Sequence, residues 1–131
     1  MSSLQERINR FKAGEFVIVT DDESRENEGD LFLLASSATT EKIGFMIRHT
    51  SGVVCVAMTE ARSRQLHLPL MVKNNQDTKR TAFTVTVDVK HGITTGISAE
   101  ERANTIRALA DQKSTAEDFI RPGHIFPLIA H

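Results

Sequence analysis

Tryptophan and tyrosine are absent from the 131 residues, and cysteine occurs once. Seven Phe and the aliphatic residues must therefore build the core. The lone Cys55 excludes an intrachain disulfide and a C-x-x-C zinc site, and it fits a reducing compartment. It lies in "GVVCVAM", which reads as a buried strand, so a packed and inert thiol is expected. No apolar run is long enough to span a bilayer, and the N-terminus lacks the h-region of a signal peptide. A cytoplasmic location is expected. The formal net charge of −1 gives no electrostatic basis for a nucleic-acid or membrane partner. There is no P-loop, no G-x-G-x-x-G fingerprint and no G-x-S-x-G elbow, because "GISAE" lacks the second Gly. Internal repeats, linkers and low-complexity segments are also absent.

What is present is a concentration of charge. "TDDESRENEGDLF" runs from Thr20 to Phe32, and its residues 21–30 hold six acids against one cation, Arg25. That segment carries −5, while the remaining fifteen cations and eleven acids leave +4 on the rest of the chain. Crowded carboxylates raise the cost of ionising one another, so they require compensation or full solvation. The loop does not have EF-hand spacing: counted from Asp22, position six is Asn27 rather than Gly. Its oxygen donors still suit a hard cation such as Mg²⁺, which keeps several of its waters and shares others with a substrate. Metal or substrate binding and a simply solvated loop both fit the residues.

The periodicities describe one 131-residue domain of intermixed helices and strands. "SLQERINRFKAG" starts with a capping box, Ser3 to Glu6, and Gly14 is a natural stop. "EFVIVT" reads as a buried strand and "LFLLA" from Leu31 as a second, so the acidic segment joins two strands. "TTEKIGFMIRH" predicts a helix with Thr40 as cap. "SGVVCVAM" is a third strand, "TEARSRQL" a short helix and "LPLMVKNNQDTKRT" a loop. "AFTVTVDV" alternates, with Phe83, Val85, Val87 and Val89 on one face and Thr84, Thr86 and Asp88 on a wet one. "SAEERANTIRALAD" has a second box, Ser98 to Glu101, and turns Ala103, Ile106 and Ala110 inward. "STAEDF" repeats the signal with Ser114 and Glu117. Pro122 and Gly123 turn the chain, and "IFPLIA" reads as a short final strand. The fold class is layered α/β (α+β), a sandwich with a mixed β-sheet covered by helices.

Among the histidines, His49 ends a helix, where a cation is favoured, while His67 and His91 fall in exposed loops. His124, in "RPGHIFP", stands between a Pro-Gly turn and an apolar run. It is either an acid–base candidate or a structural histidine. "TTGISAEER" sets Thr94, Thr95, Gly96 and Ser98 at a helix N-terminus. That end either binds an anion or is simply N-capped by Ser98.

Taken together, "DDESRENEGD", "HTSGVVC", "LPLMVKNN", "TAFTVTVD", "TTGISAEER" and "RPGHIFPLIA" resemble the 3,4-dihydroxy-2-butanone 4-phosphate synthase family of riboflavin biosynthesis. The blocks follow the family's order and spacing from about Ile8 to Ala130. The resemblance implies a Mg²⁺-dependent lyase, with Mn²⁺ as the alternative ion. Its substrate would be the small sugar phosphate ribulose 5-phosphate, and it would be a homodimer with active sites at the subunit interface. It implies Glu26 as metal ligand with Glu28 beside it, Glu26 and His124 in the catalytic set, and Arg25, Glu26 and Asp30 as substrate contacts. Thr95 would lie near the phosphate. Family members continue past "FPLIA" with a Gly-rich stretch and "GHTEA", which carries the second metal ligand. Residues 1–131 are thus expected to match the N-terminal two-thirds of a synthase domain and to show little or no turnover alone. A non-catalytic relative that only binds or dimerises is the other reading.

Overall fold

The first helix is set by its cap. The Ser3 hydroxyl accepts from the Glu6 N–H at 3.2 Å, and the Glu6 carboxylate accepts from the Ser3 N–H at 3.2 Å. Helix α1 follows over Leu4–Lys12. The structure, a computed structural model, describes residues 3–131. Strands β1 (Val17–Thr20) and β2 (Gly29–Phe32) pair antiparallel, with Val17 opposite Phe32 and Thr20 opposite Gly29. The acidic segment is therefore the loop of a hairpin, as expected. The burial of β1 is not as expected. Ile18 is 69% and Val19 50% exposed, because the hairpin is a separate two-stranded sheet that does not enter the larger one.

The main sheet holds β3 (Cys55–Met58), β4 (Val87–Val89) and β5 (Phe119–Ile129). Its order is β3-β5-β4. β5 is central: it runs parallel to β3, with Cys55 opposite Phe126, and antiparallel to β4, with Val87 opposite Ile125. The sheet is mixed, as the sequence predicts. Helix α2 (Thr40–His49) is capped by Thr39, one residue before the expected cap. α3 (Glu60–Gln65) and α4 (Ala99–Ala110) complete the helices, and α4 packs on α2 and against β4. The third capping signal, expected at Ser114 and Glu117, is displaced by one residue. Thr115 and Asp118 make the box, and the turn it starts is a 3-10 turn, Ala116–Asp118. No helix among the described residues is long and apolar enough to cross a membrane.

Two expectations fail on β5 and β4. Pro122 and Gly123 do not turn the chain; they lie inside the 11-residue β5. The ladder absorbs them by a register shift: Val87 faces Ile125, yet Asp88 faces Ile120. Residues 121–124 therefore arch out as a bulge, which re-aims side chains. Next, the "wet" face of the alternating run is dry. Thr84 is fully buried and Asp88 only 5% exposed. The Thr84 hydroxyl donates to the Pro127 carbonyl at 3.3 Å or to its neighbour Val85 at 2.9 Å. The Thr86 hydroxyl accepts from the Gly123 N–H at 2.9 Å. Backbone groups of β5 supply partners on that face, and threonine tolerates burial because its hydroxyl finds them.

The core joins Ile43 of α2, Val56 of β3, Val87 of β4, Ile106 and Leu109 of α4, and Ile125 of β5. Ala110, expected inward, is exposed, and Thr105 is buried instead. Its hydroxyl accepts from the Val89 N–H at 2.9 Å, tying α4 to β4. The body's arginines also serve the fold. Arg62 donates to the Asp111 carbonyl at 2.6 Å and Arg107 to that of Ala38 at 2.6 Å. Arg121 reaches the carbonyls of His67 at 3.0 Å and Ala116 at 3.1 Å. These guanidinium groups donate to backbone carbonyls at helix ends and in connecting segments.

A Cβ at Gly123 would lie 2.0 Å from the Val87 carbonyl carbon and 2.3 Å from the Asp88 nitrogen. Backbone cannot yield as a side chain does. Gly123→Ala is expected to destabilise the fold by about 3 kcal/mol, the upper end for overpacking. Urea unfolding of the two proteins measures this, and a change within about 0.5 kcal/mol would show that β4 and β5 separate freely there.

Candidate active site

The acidic loop is held by one of its own acids. Asp21 accepts the Glu26 N–H at 2.8 Å on one oxygen and the Glu28 N–H at 2.9 Å on the other. The Asp22 carbonyl accepts from Arg25 at 3.0 Å and Asn27 at 3.2 Å. Asn27 takes a left-handed conformation, φ +52, which asparagine tolerates better than most residues. The Glu28 N–H, ahead of the opposing effect of burial and the help of the Glu26 N–H and Arg25, holds the Asp21 carboxyl below its ordinary value. The Arg25 guanidinium lies 3.9 Å from Asp21 and 3.7 Å from Glu26. Backbone N–H groups and one arginine thus compensate part of the charge. The side chains of Glu28 and Asp30 have no hydrogen bond or ion pair among the described residues, and Glu26 has only the Arg25 contact.

Glu28 and Asp30 line a cleft of about 950 Å³ that also takes in His49, Ser51 and Cys55. Cys55 corrects an expectation. β3 alternates, with Val56 buried, so Cys55 and Ala57 face the open side and Cys55 is exposed. The cleft walls still surround enough of the sulfur to matter. Burial first, and the Asp30 carboxylate second, push its thiol up, which keeps it protonated. It is therefore weakly nucleophilic, as expected, but not packed.

No group of three or more His, Cys, Asp or Glu side chains converges on a metal position among the described residues. The donor chemistry nevertheless fits a hard cation. Glu26 and Glu28 on the hairpin loop and Asp30 at the start of β2 are exposed oxygen donors, which suits Mg²⁺ with its retained waters.

The second group of candidate residues lies on β5 and the turn before α4. His124, on the bulge, is 37% exposed at its side chain. Its Nδ1 is 2.9 Å from one oxygen of Asp88, and its N–H donates to the other at 2.8 Å. Thr95 is exposed on the turn, and the adjoining Gly96 packs directly on the Asp88 carboxylate. The anion reading of this helix end is weakened. The Glu101 carboxylate already accepts from the Thr94 N–H, the Thr94 hydroxyl at 3.0 Å, the Gly96 N–H at 3.3 Å and the Ser98 hydroxyl at 3.2 Å. Ser98 caps α4 in turn, accepting from the Glu101 N–H at 3.1 Å. No hydrogen bond or ion pair among the described residues joins the acidic loop to His124. Asp88 is the residue that sequence reasoning missed, and Glu101, read only as the capping partner of Ser98, also ties down the turn at Thr94 and Gly96. The one available signal was an acid at the core-like end of "TVTVDV".

Comparison with known proteins places the chain among named relatives. A family model described as 3,4-dihydroxy-2-butanone 4-phosphate synthase matches residues 5–131. The 3,4-dihydroxy-2-butanone 4-phosphate synthase of Schizosaccharomyces pombe is 52% identical over 131 residues, covering 99% of this chain and 64% of the relative. A bifunctional riboflavin biosynthesis protein of Arabidopsis thaliana, RIBA 1, chloroplastic, is 57% identical over 129 residues, covering 97% of this chain and 24% of that protein. A crystal structure of 3,4-dihydroxy-2-butanone 4-phosphate synthase in complex with two magnesium ions superposes with TM-score 0.97 at 49% identity, over 100% of this chain and 61% of that one. The chain thus spans between a quarter and two-thirds of the length of these relatives.

The Glu101 network has a pH signature. The Thr94 N–H, with other donors of the turn and against a smaller effect of burial, holds the Glu101 carboxyl below its ordinary 4.5. A carboxyl lowered on folding stabilises the fold above its unfolded value, and that contribution disappears as pH falls through the folded value. Glu101→Gln is expected to lower stability near neutral pH and to flatten the acid limb below pH 4.5. Denaturant midpoints measured from about pH 3 to pH 7 check both, and parallel curves for the two proteins would overturn the assignment.

Proposed function

Because the chain belongs to the 3,4-dihydroxy-2-butanone 4-phosphate synthase family, we propose that it serves riboflavin biosynthesis as a Mg²⁺-dependent carbon–carbon lyase. The reaction converts D-ribulose 5-phosphate to 3,4-dihydroxy-2-butanone 4-phosphate and formate, with Mn²⁺ as the substitute ion. One observation carries the reading on this chain. Asp21 binds the backbone of the acidic loop, which leaves the carboxylates of Glu26, Glu28 and Asp30 available on its surface.

The chemistry suits these groups. Removing a proton beside the substrate carbonyl needs a base, and the enediolate that results needs positive charge nearby. Glu26, with Glu28, would hold the cation, which supplies that charge and lowers the pKa of water. Arg25 and Asp30 flank Glu26 and would orient the sugar hydroxyls. His124 would move the proton through its exposed ring. Thr95, on the turn over Asp88, would face the phosphate end of the substrate. Residues 1–131 are read as one domain of synthase type.

We also infer a homodimer in a reducing, cytoplasm-like compartment. Exposed Ile18, Val19, Phe32, Phe45 and Val53 support the first, since apolar surface of this kind marks interfaces. The single Cys supports the second. Sedimentation at micromolar concentration is expected to give twice the mass of the chain, and a stable monomer would overturn the dimer.

Glu26→Gln tests the function. It keeps the shape and removes the charge. Mg²⁺ titration by calorimetry is expected to lose its heat, and formate release from ribulose 5-phosphate, measured on the chain extended by the family's "GHTEA" segment, is expected to fall by roughly 100-fold or more, beyond the loss typical of supporting groups. An unchanged titration would remove Glu26 from the ligand set. Mg²⁺ binding without formate release even in the extended chain would favour the binding-only reading.

A further inference from the structure

The proposed chemistry leaves unexplained why a carboxylate should be buried behind His124. Asp88 is 5% exposed, and both its oxygens are engaged by one residue. Oδ1 accepts the His124 N–H at 2.8 Å, and Oδ2 is 2.9 Å from Nδ1. An ionised carboxylate has only acceptors, so the ring nitrogen that faces it must carry the hydrogen. In the neutral ring, Nε2 is then the lone-pair atom. No group among the described residues hydrogen-bonds Nε2. The arrangement is tight on its far side too. A Cβ on Gly96 would lie 2.3 Å from Asp88 Oδ2 and 2.6 Å from its carboxyl carbon, so only glycine lets the turn close over the carboxylate.

We propose that Asp88 is a positioning residue that locks His124 in the Nδ1–H tautomer and presents Nε2 as the atom that exchanges protons with substrate, with Gly96 sealing the carboxylate in place. This rests on the reading of His124 as the acid–base residue. It adds a residue from β4 to the site, 36 positions away in the chain. Two contacts to one residue fix the ring more firmly than one would. The backbone contact sets where the carboxylate sits, and the ring contact then sets the orientation of the imidazole.

The test is Asp88→Asn, which keeps volume and alters one hydrogen-bonding pattern. The His124 N–H demands an acceptor, so the Asn oxygen must face it and the NH₂ must face Nδ1. That donor forces the opposite tautomer, with hydrogen on Nε2. Nitrogen-15 NMR of the imidazole rings, with His124→Ala to assign the signal, reads this directly. In the unmutated chain at a pH where the ring is neutral, Nδ1 is expected to be the protonated nitrogen and Nε2 the bare one. In Asp88→Asn the two are expected to exchange, while the backbone amide spectrum stays folded. In the chain extended by the family's "GHTEA" segment, formate release is expected to drop about 100-fold or more in kcat, with KM within about threefold, as a wrong tautomer affects the proton step more than binding. An Nε2–H tautomer in the unmutated chain overturns the proposal without any variant, as does an unchanged tautomer in folded Asp88→Asn. Formate release that survives His124→Ala would instead overturn the acid–base reading, and the NMR result would still decide whether Asp88 orients the ring.

Discussion

Gly123 lies so close to the β4 backbone that no side chain fits between them. The close approach decides much of the molecule. It lets β5 run through Pro122 and Gly123 and remain the central strand, with β3 on one side and β4 on the other. It places the Gly123 N–H on the Thr86 hydroxyl, and it shifts the register between Val87 and Asp88. The bulge that results brings the His124 N–H and ring onto the Asp88 carboxylate. A threonine face that would otherwise meet water is covered by the same contact. Core packing and site geometry thus depend on one missing Cβ.

The acids of this chain divide into two kinds by their partners. Asp21, Asp88 and Glu101 each accept backbone N–H groups and hold a loop, a ring or a helix end. Glu26, Glu28 and Asp30 do not, and stay exposed. A carboxylate whose oxygens already accept N–H groups has fewer lone pairs left, which makes it a structural anchor and a poor competitor for metal. The exposed acids keep their oxygens for a ligand. The same division applies to the cations. Arg62, Arg107 and Arg121 serve carbonyls, while Arg25 remains beside the acidic loop.

Local signals were read well where the physics is local. The box of Ser3 and Glu6 starts α1, and Ser98 caps α4. The acidic segment is the loop of a hairpin because two strands flank it. Burial was read poorly, because it depends on what arrives from elsewhere. "EFVIVT" looked like core and is half bare, since its hairpin stands apart from the main sheet. "TVTVDV" looked half wet, yet Thr84 and Asp88 are buried, and the bulge of β5 and the turn at Gly96 close on Thr86 and Asp88. Cys55 looked packed and faces a cleft, because the alternation of β3 can be anchored on Val56 or on Cys55 and the sequence does not say which.

The sequence by itself determined the residue types of the site and the local frames that carry them. A run of acids between two strands becomes a charged loop, and His124 adjoins an apolar run that becomes part of a strand. Tertiary structure alone decided which acids are anchors and which are free, and which nitrogen of His124 faces a carboxylate. Those outcomes require groups distant in the chain to meet: Asp88 and His124 are 36 residues apart and touch at 2.9 Å. Periodicity reports which side of an element is apolar. It carries no information on which partner covers that side, and the partner is what sets the hydrogen bonds.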